Sequence, residues 1–181
     1  MTTDTDHFRL QFASSQIPRL AARYSYGTPA EAQRERRIIE KIGPAAKAPG
    51  CFTRDEFILM CRWKTRGRSA PLVEANTSAD IEEATRIALS ATTEVVRIGV
   101  LRALSGIEWP SASVFLHFGH VEPYPILDFR TLEALGIARD SVHYTFGLWS
   151  EYVAYCRRLA TQARVSMREL DRAMWQWSNE R

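Results

Sequence analysis

The stretch PYPILDFRTLEALG, residues 123–136, sets one carboxylate, Asp128, at the end of an apolar run. Pro125, Ile126 and Leu127 lead in, and Phe129, Leu132 and Leu135 follow at helical spacing. A carboxylate in apolar surroundings can orient a water, move a proton or stabilise a developing positive charge. Aspartate is also a favoured helix N-cap, and the pattern after Asp128 closes at Gly136, a residue suited to a helix end. The two roles are compatible, because a capping aspartate can still present one oxygen to a pocket. Arg130 is the neighbouring cation that would hold Asp128 ionised, and Phe129 and Tyr124 would line such a pocket.

A second cluster is basic. KTRGR, Lys64–Arg68, follows directly on Trp63, and an aromatic beside Lys64, Arg66 and Arg68 suits a nucleic-acid edge. RERR (34–37) and CRR (156–158) add positive charge, with RERR read as a solvated face. The formal net charge of +3 permits an acidic partner without demanding one. Metal chemistry finds little footing. His117 and His120 lack a third ligand nearby, and Cys51, Cys61 and Cys156 are scattered with no CxxC pair. No metal or cofactor is expected, and the odd, dispersed cysteines predict reduced thiols in a cytoplasmic protein.

These residues need a scaffold. With 181 residues, 45% hydrophobic and 25% charged, the chain has the composition of a globular domain. No apolar run approaches the ~20 residues that span a bilayer, and MTTDTDHFRL does not begin like a signal peptide. No membrane association is expected. Apolar residues recur at three and four, and helix-start signals repeat, which predicts an all-α fold. Thr28-Pro29-Ala30-Glu31 opens a helix to about Ile42, and GPAAKAPG (43–50) reads as a linker. Thr53-Arg54-Asp55-Glu56 and Ser166-Met167-Arg168-Glu169 are further capping boxes, and polar caps near Thr77 and Thr92–Thr93 open two more helices. YTFGLWSEYVAYCRRLATQA (144–163) reads as one amphipathic helix despite Gly147. The predicted layout is an N-terminal segment, 1–27, packed on a single helical domain, 28–181.

RALSGIEWPSASVFLHFG (102–119) reads as helix, tight turn, helix. Ser105-Gly106 stops the first helix, and Pro110 suits the first turn of the second. Such a turn aims backbone N–H groups outward at a helix start, which makes a ready phosphate site. Gly106, Ile107 and Ser111 are therefore the candidate phosphate-binding residues of the turn, and Lys64, Arg66 and Arg68 are the candidate cations for a nucleic-acid partner.

LSGIEWPSA, Leu104 to Ala112, resembles the hairpin of the helix-hairpin-helix DNA glycosylase superfamily, the endonuclease III-like base-excision enzymes. Leu104, Gly106, Ile107, Ser111 and Ala112 match its pattern, and an apolar helix, a short loop and an aspartate follow in the family's order. The match covers about thirty residues, Leu104–Leu135. The resemblance implies an all-α, glycosylase-like helical domain that binds duplex DNA, with Asp128 as the catalytic carboxylate. Trp63, Tyr124 and Phe129 are the base-stacking candidates, with Trp109 and Tyr144 as further aromatics in reach of that role. Pro110 stands where bifunctional members carry a lysine, so a Schiff-base lyase step is not implied. Glu108 replaces the second hairpin glycine and puts a negative charge where phosphate would dock. The cluster-binding cysteines of some members have no counterpart. A monofunctional glycosylase of base-excision repair is thus the first reading. A non-catalytic DNA-binding protein, or a helical interaction module, is the alternative.

Overall fold

A computed structural model describes residues 7–181. Among them the regular elements are helical and no strand occurs. In chain order they are α1 (Ile17–Ala22), α2 (Pro29–Arg37), α3 (Gly43–Ala46), α4 (Arg54–Thr65), α5 (Ala70–Glu74), α6 (Ser78–Ser90), α7 (Glu94–Arg102), α8 (Trp109–Gly119), α9 (Phe129–Glu133), α10 (Phe146–Ala163) and α11 (Met167–Asn179). A π-helical turn, Ile38–Ile42, joins α2 to α3. Thr28, Thr53, Thr77 and Ser166 open α2, α4, α6 and α11, each hydroxyl accepting a backbone N–H three residues on. Those bonds satisfy donors that the first helical turn leaves without partners. No helix among the described residues is long and apolar enough to cross a membrane.

Two boundaries depart from the sequence reading. GPAAKAPG begins as helix, not linker, and the turn comes only at 47–50. Pro44 has no N–H to give, and the π-turn before it absorbs the missing bond: Gly43 N–H reaches back to Ile38 O. Gly43 also allows a close helix crossing, since a Cβ there would lie 2.7 Å from the carbonyl oxygen of Phe118. Further on, α10 starts at Phe146 rather than Tyr144, because the Thr145 hydroxyl accepts Leu148 N–H at 3.1 Å and caps it. Gly147 then falls in the first turn, outside the helix interior where glycine costs most.

The described chain divides into two compact units. One is Tyr26–Pro123. The other joins the described residues up to Ser25 with Tyr124–Arg181. Distant pairing explains the division. Arg9 and Gln11 N–H donate to Leu135 and Ala134 carbonyls at 2.9 Å, and α1 packs along α11.

In the Tyr26–Pro123 unit, α8 is apolar on nearly every side and is correspondingly buried, against α3, α4, α6 and α7. Phe115 stacks on Phe57 at 4.5 Å and meets Phe52 edge-on at 5.6 Å. In the other unit α11 receives α1, α9 and α10, with Trp149, Tyr152, Leu170 and Met174 fully buried. All three cysteines are buried and free of disulfides, and burial pushes the Cys61 and Cys156 thiols up.

Candidate functional site

The hairpin turn is built as the sequence suggests and is held by a residue the sequence did not single out. Gly106 has φ +75°, and Ile107 N–H closes the turn on Leu104 O at 3.2 Å. A Cβ on Gly106 would approach Leu72 Cβ of α5 to 2.8 Å, so both the backbone and the packing call for glycine. Asn76 clamps the turn. Its Oδ1 accepts Ser105 N–H at 2.8 Å, and its Nδ2 donates to Ser105 O at 3.0 Å and Val73 O at 2.9 Å. No local sequence signal marks Asn76, because its bonds to Ser105 join residues 29 apart.

Ile107 and Ser111 are buried, at 3% and 5% exposure. Their side chains anchor the hairpin, and Ile107 N–H is already used inside the turn. Contact with phosphate from this region would come through the backbone around Gly106 and the first turn of α8. Glu108 sits at the N-cap of α8 with an exposed carboxylate, 3.6 Å from Arg102. Arg102 also covers the ring of buried Trp109, at 4.2 Å. Trp109 therefore offers no face to a base.

The basic segment is a helix end rather than a loose loop. Lys64 lies in the last turn of α4, and Arg66 (φ +53°) and Gly67 (φ +81°) turn the chain out of it. Tyr26 donates its hydroxyl to Trp63 O at 2.9 Å, one of the carbonyls left over at the end of α4. Arg66 lies over the Tyr26 ring at 5.3 Å and 3.4 Å from Glu31, so part of its charge is balanced within the fold. Arg66 and Arg68 are exposed, and Lys64 is half-buried. Trp63 is 3% exposed and packs against Tyr26 and Phe118. It continues the buried face of Phe57, Met60 and Cys61 and presents no stacking surface. The basic segment runs into α5, whose Leu72 and Val73 touch Gly106, so segment and hairpin are neighbours in one unit.

Asp128 belongs to the other unit. It is half-buried and is the N-cap of α9, with Oδ1 accepting Arg130 N–H at 3.0 Å. Its own N–H donates to Thr131 Oγ1 at 3.2 Å, and that hydroxyl lies 2.8 Å from Asp128 O. Arg130 meets Asp128 through its backbone only. Its guanidinium turns to the Phe129 and Trp175 rings and to Ser178 Oγ. The extended lead-in, 124–127, has no sheet to satisfy its polar groups, so side chains from α10 and α11 do it. Tyr152 donates to Ile126 O at 2.8 Å, and Asp171 Oδ1 accepts Ile126 N–H at 3.3 Å. Burial is the main cause that drives the Tyr152 phenol well above its ordinary value, so it stays a neutral donor.

Tyr124 is fully buried, stacked on Trp149 at 6.0 Å with Arg157 at 4.5 Å from its ring, and it cannot line an open pocket. Phe129 is half-buried, with Arg139 over its ring at 4.3 Å. Tyr144 also feels Asp128: its phenol is raised by burial first and then by the Asp128 charge.

Among the described residues no three His, Cys, Asp or Glu side chains gather as metal ligands. His117 lies edge-on to Phe118, and His120 Nδ1 accepts Glu122 N–H at 3.0 Å.

Comparison with protein-family models, curated proteins and solved structures finds no match. Function has to be read from the side chains themselves. The candidates fall into two groups, one on each unit. The hairpin and the basic helix end share Tyr26–Pro123, and Asp128, Phe129 and Tyr144 share the other.

Proposed function

We propose that this chain binds duplex DNA and hydrolyses an N-glycosidic bond in it, with Asp128 as the carboxylate and no strand-cutting lyase step. The observation that carries this reading is the hairpin: two helices joined through a left-handed Gly106 and clamped by Asn76. A rigid turn of this kind presents backbone donors to a phosphate at no further ordering cost.

The chemistry asked of Asp128 is modest. The C1′–N bond of an extruded nucleotide breaks, a water oxygen bonds to C1′, and the base leaves with the bonding electrons. The sugar passes through an oxocarbenium-like state, which a fixed negative charge stabilises. The water proton passes to the carboxylate or to the departing base. Asp128 Oδ1 accepts Arg130 N–H, which fixes the side chain at the start of α9. Pro110 offers no amine at the position where a Schiff-base lysine would stand.

The second reading, a DNA-binding protein without catalysis, is favoured by Glu108, whose exposed carboxylate stands at the start of α8. Duplexes carrying single damaged bases distinguish the two. Strand breaks that appear only after alkali are expected, since hydrolysis alone leaves an abasic site. Binding without such breaks would establish the second reading. Breaks without alkali would contradict the absence of a lyase step.

A further inference from the structure

The α2–α4 face of the Tyr26–Pro123 unit carries an arginine-lined groove that neither the hairpin nor the basic helix end accounts for. α2 and the π-turn after it present Gln33, Arg34, Arg36, Arg37, Lys41 and one carboxylate, Glu40, to a recess of about 590 Å³, with Ala30 and Leu59 of α4 as its apolar lining. A second recess, of about 510 Å³, shares Arg34, Arg37 and Leu59 and adds Arg54 and Arg62 with the carboxylates Asp55 and Glu74. Cations outnumber carboxylates in both recesses.

Its charges are unevenly spent. Arg62 pairs with Glu74 at 2.7 Å, and Arg54 donates to the Glu74 and Asn76 carbonyls. Arg34, Arg36, Arg37 and Lys41 are exposed, and against them stand Glu31, whose carboxyl the Thr28 backbone bond lowers most and Arg34 helps to lower, and Glu40. Like charges at helical spacings of three and four destabilise a helix. Grouping four of them within about two helical turns leaves a field that an anion relieves.

Spacing and lining indicate which anion. Arg34 to Lys41 is seven residues, about 10 Å of helix axis at ~1.5 Å per residue. One strand of B-DNA advances ~3.4 Å per phosphate, so about three phosphates pass over that distance. Arginine meets phosphate oxygens in a two-pronged geometry. The recess offers Leu59 and Ala30 as apolar lining and no aromatic, whereas the core of a protein interface favours aromatics and methionine.

We propose that this groove holds one sugar–phosphate strand of the DNA duplex, as a backbone contact additional to the hairpin. The proposal rests on the DNA-binding reading above and extends it to a surface whose arginines sequence patterning assigns only to solvent.

The test is a salt titration of duplex binding by the full chain, followed by fluorescence anisotropy. The proteins are wild type, R34Q/R37Q/K41Q and the charge-keeping R34K/R37K/K41R. Each phosphate contact contributes about 0.9 to the slope of log affinity against log salt. The Gln variant should lower the slope by about 2 to 3 and bind more weakly, and the charge-keeping variant should retain the wild-type slope. Relief of repulsion keeps the Gln variant folded, with Tm equal to or above wild type. Should it unfold instead, Arg37→Glu alone serves, with a slope reduced by about 1 or more. Wild-type binding with an unchanged slope in the Gln variant would overturn the groove and leave the DNA reading standing. No duplex binding by wild type would overturn both. Tighter binding to polyglutamate than to duplex, lost in the Gln variant, would give the groove to an acidic protein and overturn the proposal.

Discussion

Asn76 illustrates how much one buried amide can decide. It satisfies both the N–H and the C=O of Ser105, where the chain leaves α7 and turns. Asn76→Ala leaves those two groups without their partner, at a cost of about 1–3 kcal/mol. Chemical denaturation should read that loss, and Asn76→Asp should cost at least as much, because its buried carboxylate would face the Ser105 and Val73 carbonyl oxygens. The capping glutamates act through charge. The backbone bond at Thr28 lowers the Glu31 carboxyl, and that at Ser166 lowers Glu169. A depressed folded value means the stabilisation is complete above the ordinary 4.5 and is lost as pH falls through the folded value. Glutamine keeps the reciprocal bond without the charge. Glu169→Gln should therefore cost stability at neutral pH and nothing in strong acid, so its denaturation curves converge with wild type as the pH falls. A constant offset at all pH values would mean that shape, not charge, is what the box needs.

At the scale of elements, the helix starts were legible because each is written in adjacent residues. Thr28, Thr53, Thr77 and Ser166 all cap as read. The turn at Gly106 was legible for the same reason, and its positive φ makes a sharp prediction. Gly106→Ala adds left-handed backbone strain of about 1–2 kcal/mol, and the contact of 2.8 Å with Leu72 Cβ adds to it. Thermal melts should fall accordingly, and duplex affinity should fall further than stability alone explains if the turn carries phosphate contacts. What was not legible depends on distance in the chain. Gly43 and Pro44 look like breakers, yet a π-turn and a close crossing with Phe118 keep them helical. Trp63 reads as a stacking candidate because cations follow it, yet helical spacing from Phe57 and Met60 carries it inward. For the basic helix end itself, K64A/R66A/R68A should weaken duplex binding and flatten the salt slope by less than three full contacts, because Arg66 is already drawn to Glu31. An unchanged slope would make it a solvated surface.

For the whole molecule, the division into two units was the largest feature hidden from local reading. Nothing in the first 25 residues announces that Arg9 and Gln11 will pair with Leu135 and Ala134, or that α1 will lie on α11. The hairpin and its cations lie on one unit and Asp128 on the other. The central claim, that Asp128 is both cap and catalyst, is tested most directly by single-turnover base excision with wild type and Asp128→Asn, with duplex binding and denaturation measured alongside. Asparagine can still accept Arg130 N–H, so the fold should persist with a loss of no more than about 1 kcal/mol. It cannot supply the charge an oxocarbenium ion needs, so excision should fall by orders of magnitude while binding holds or tightens slightly. Equal excision by the two proteins, or none by wild type across the panel of damaged bases, would contradict the claim.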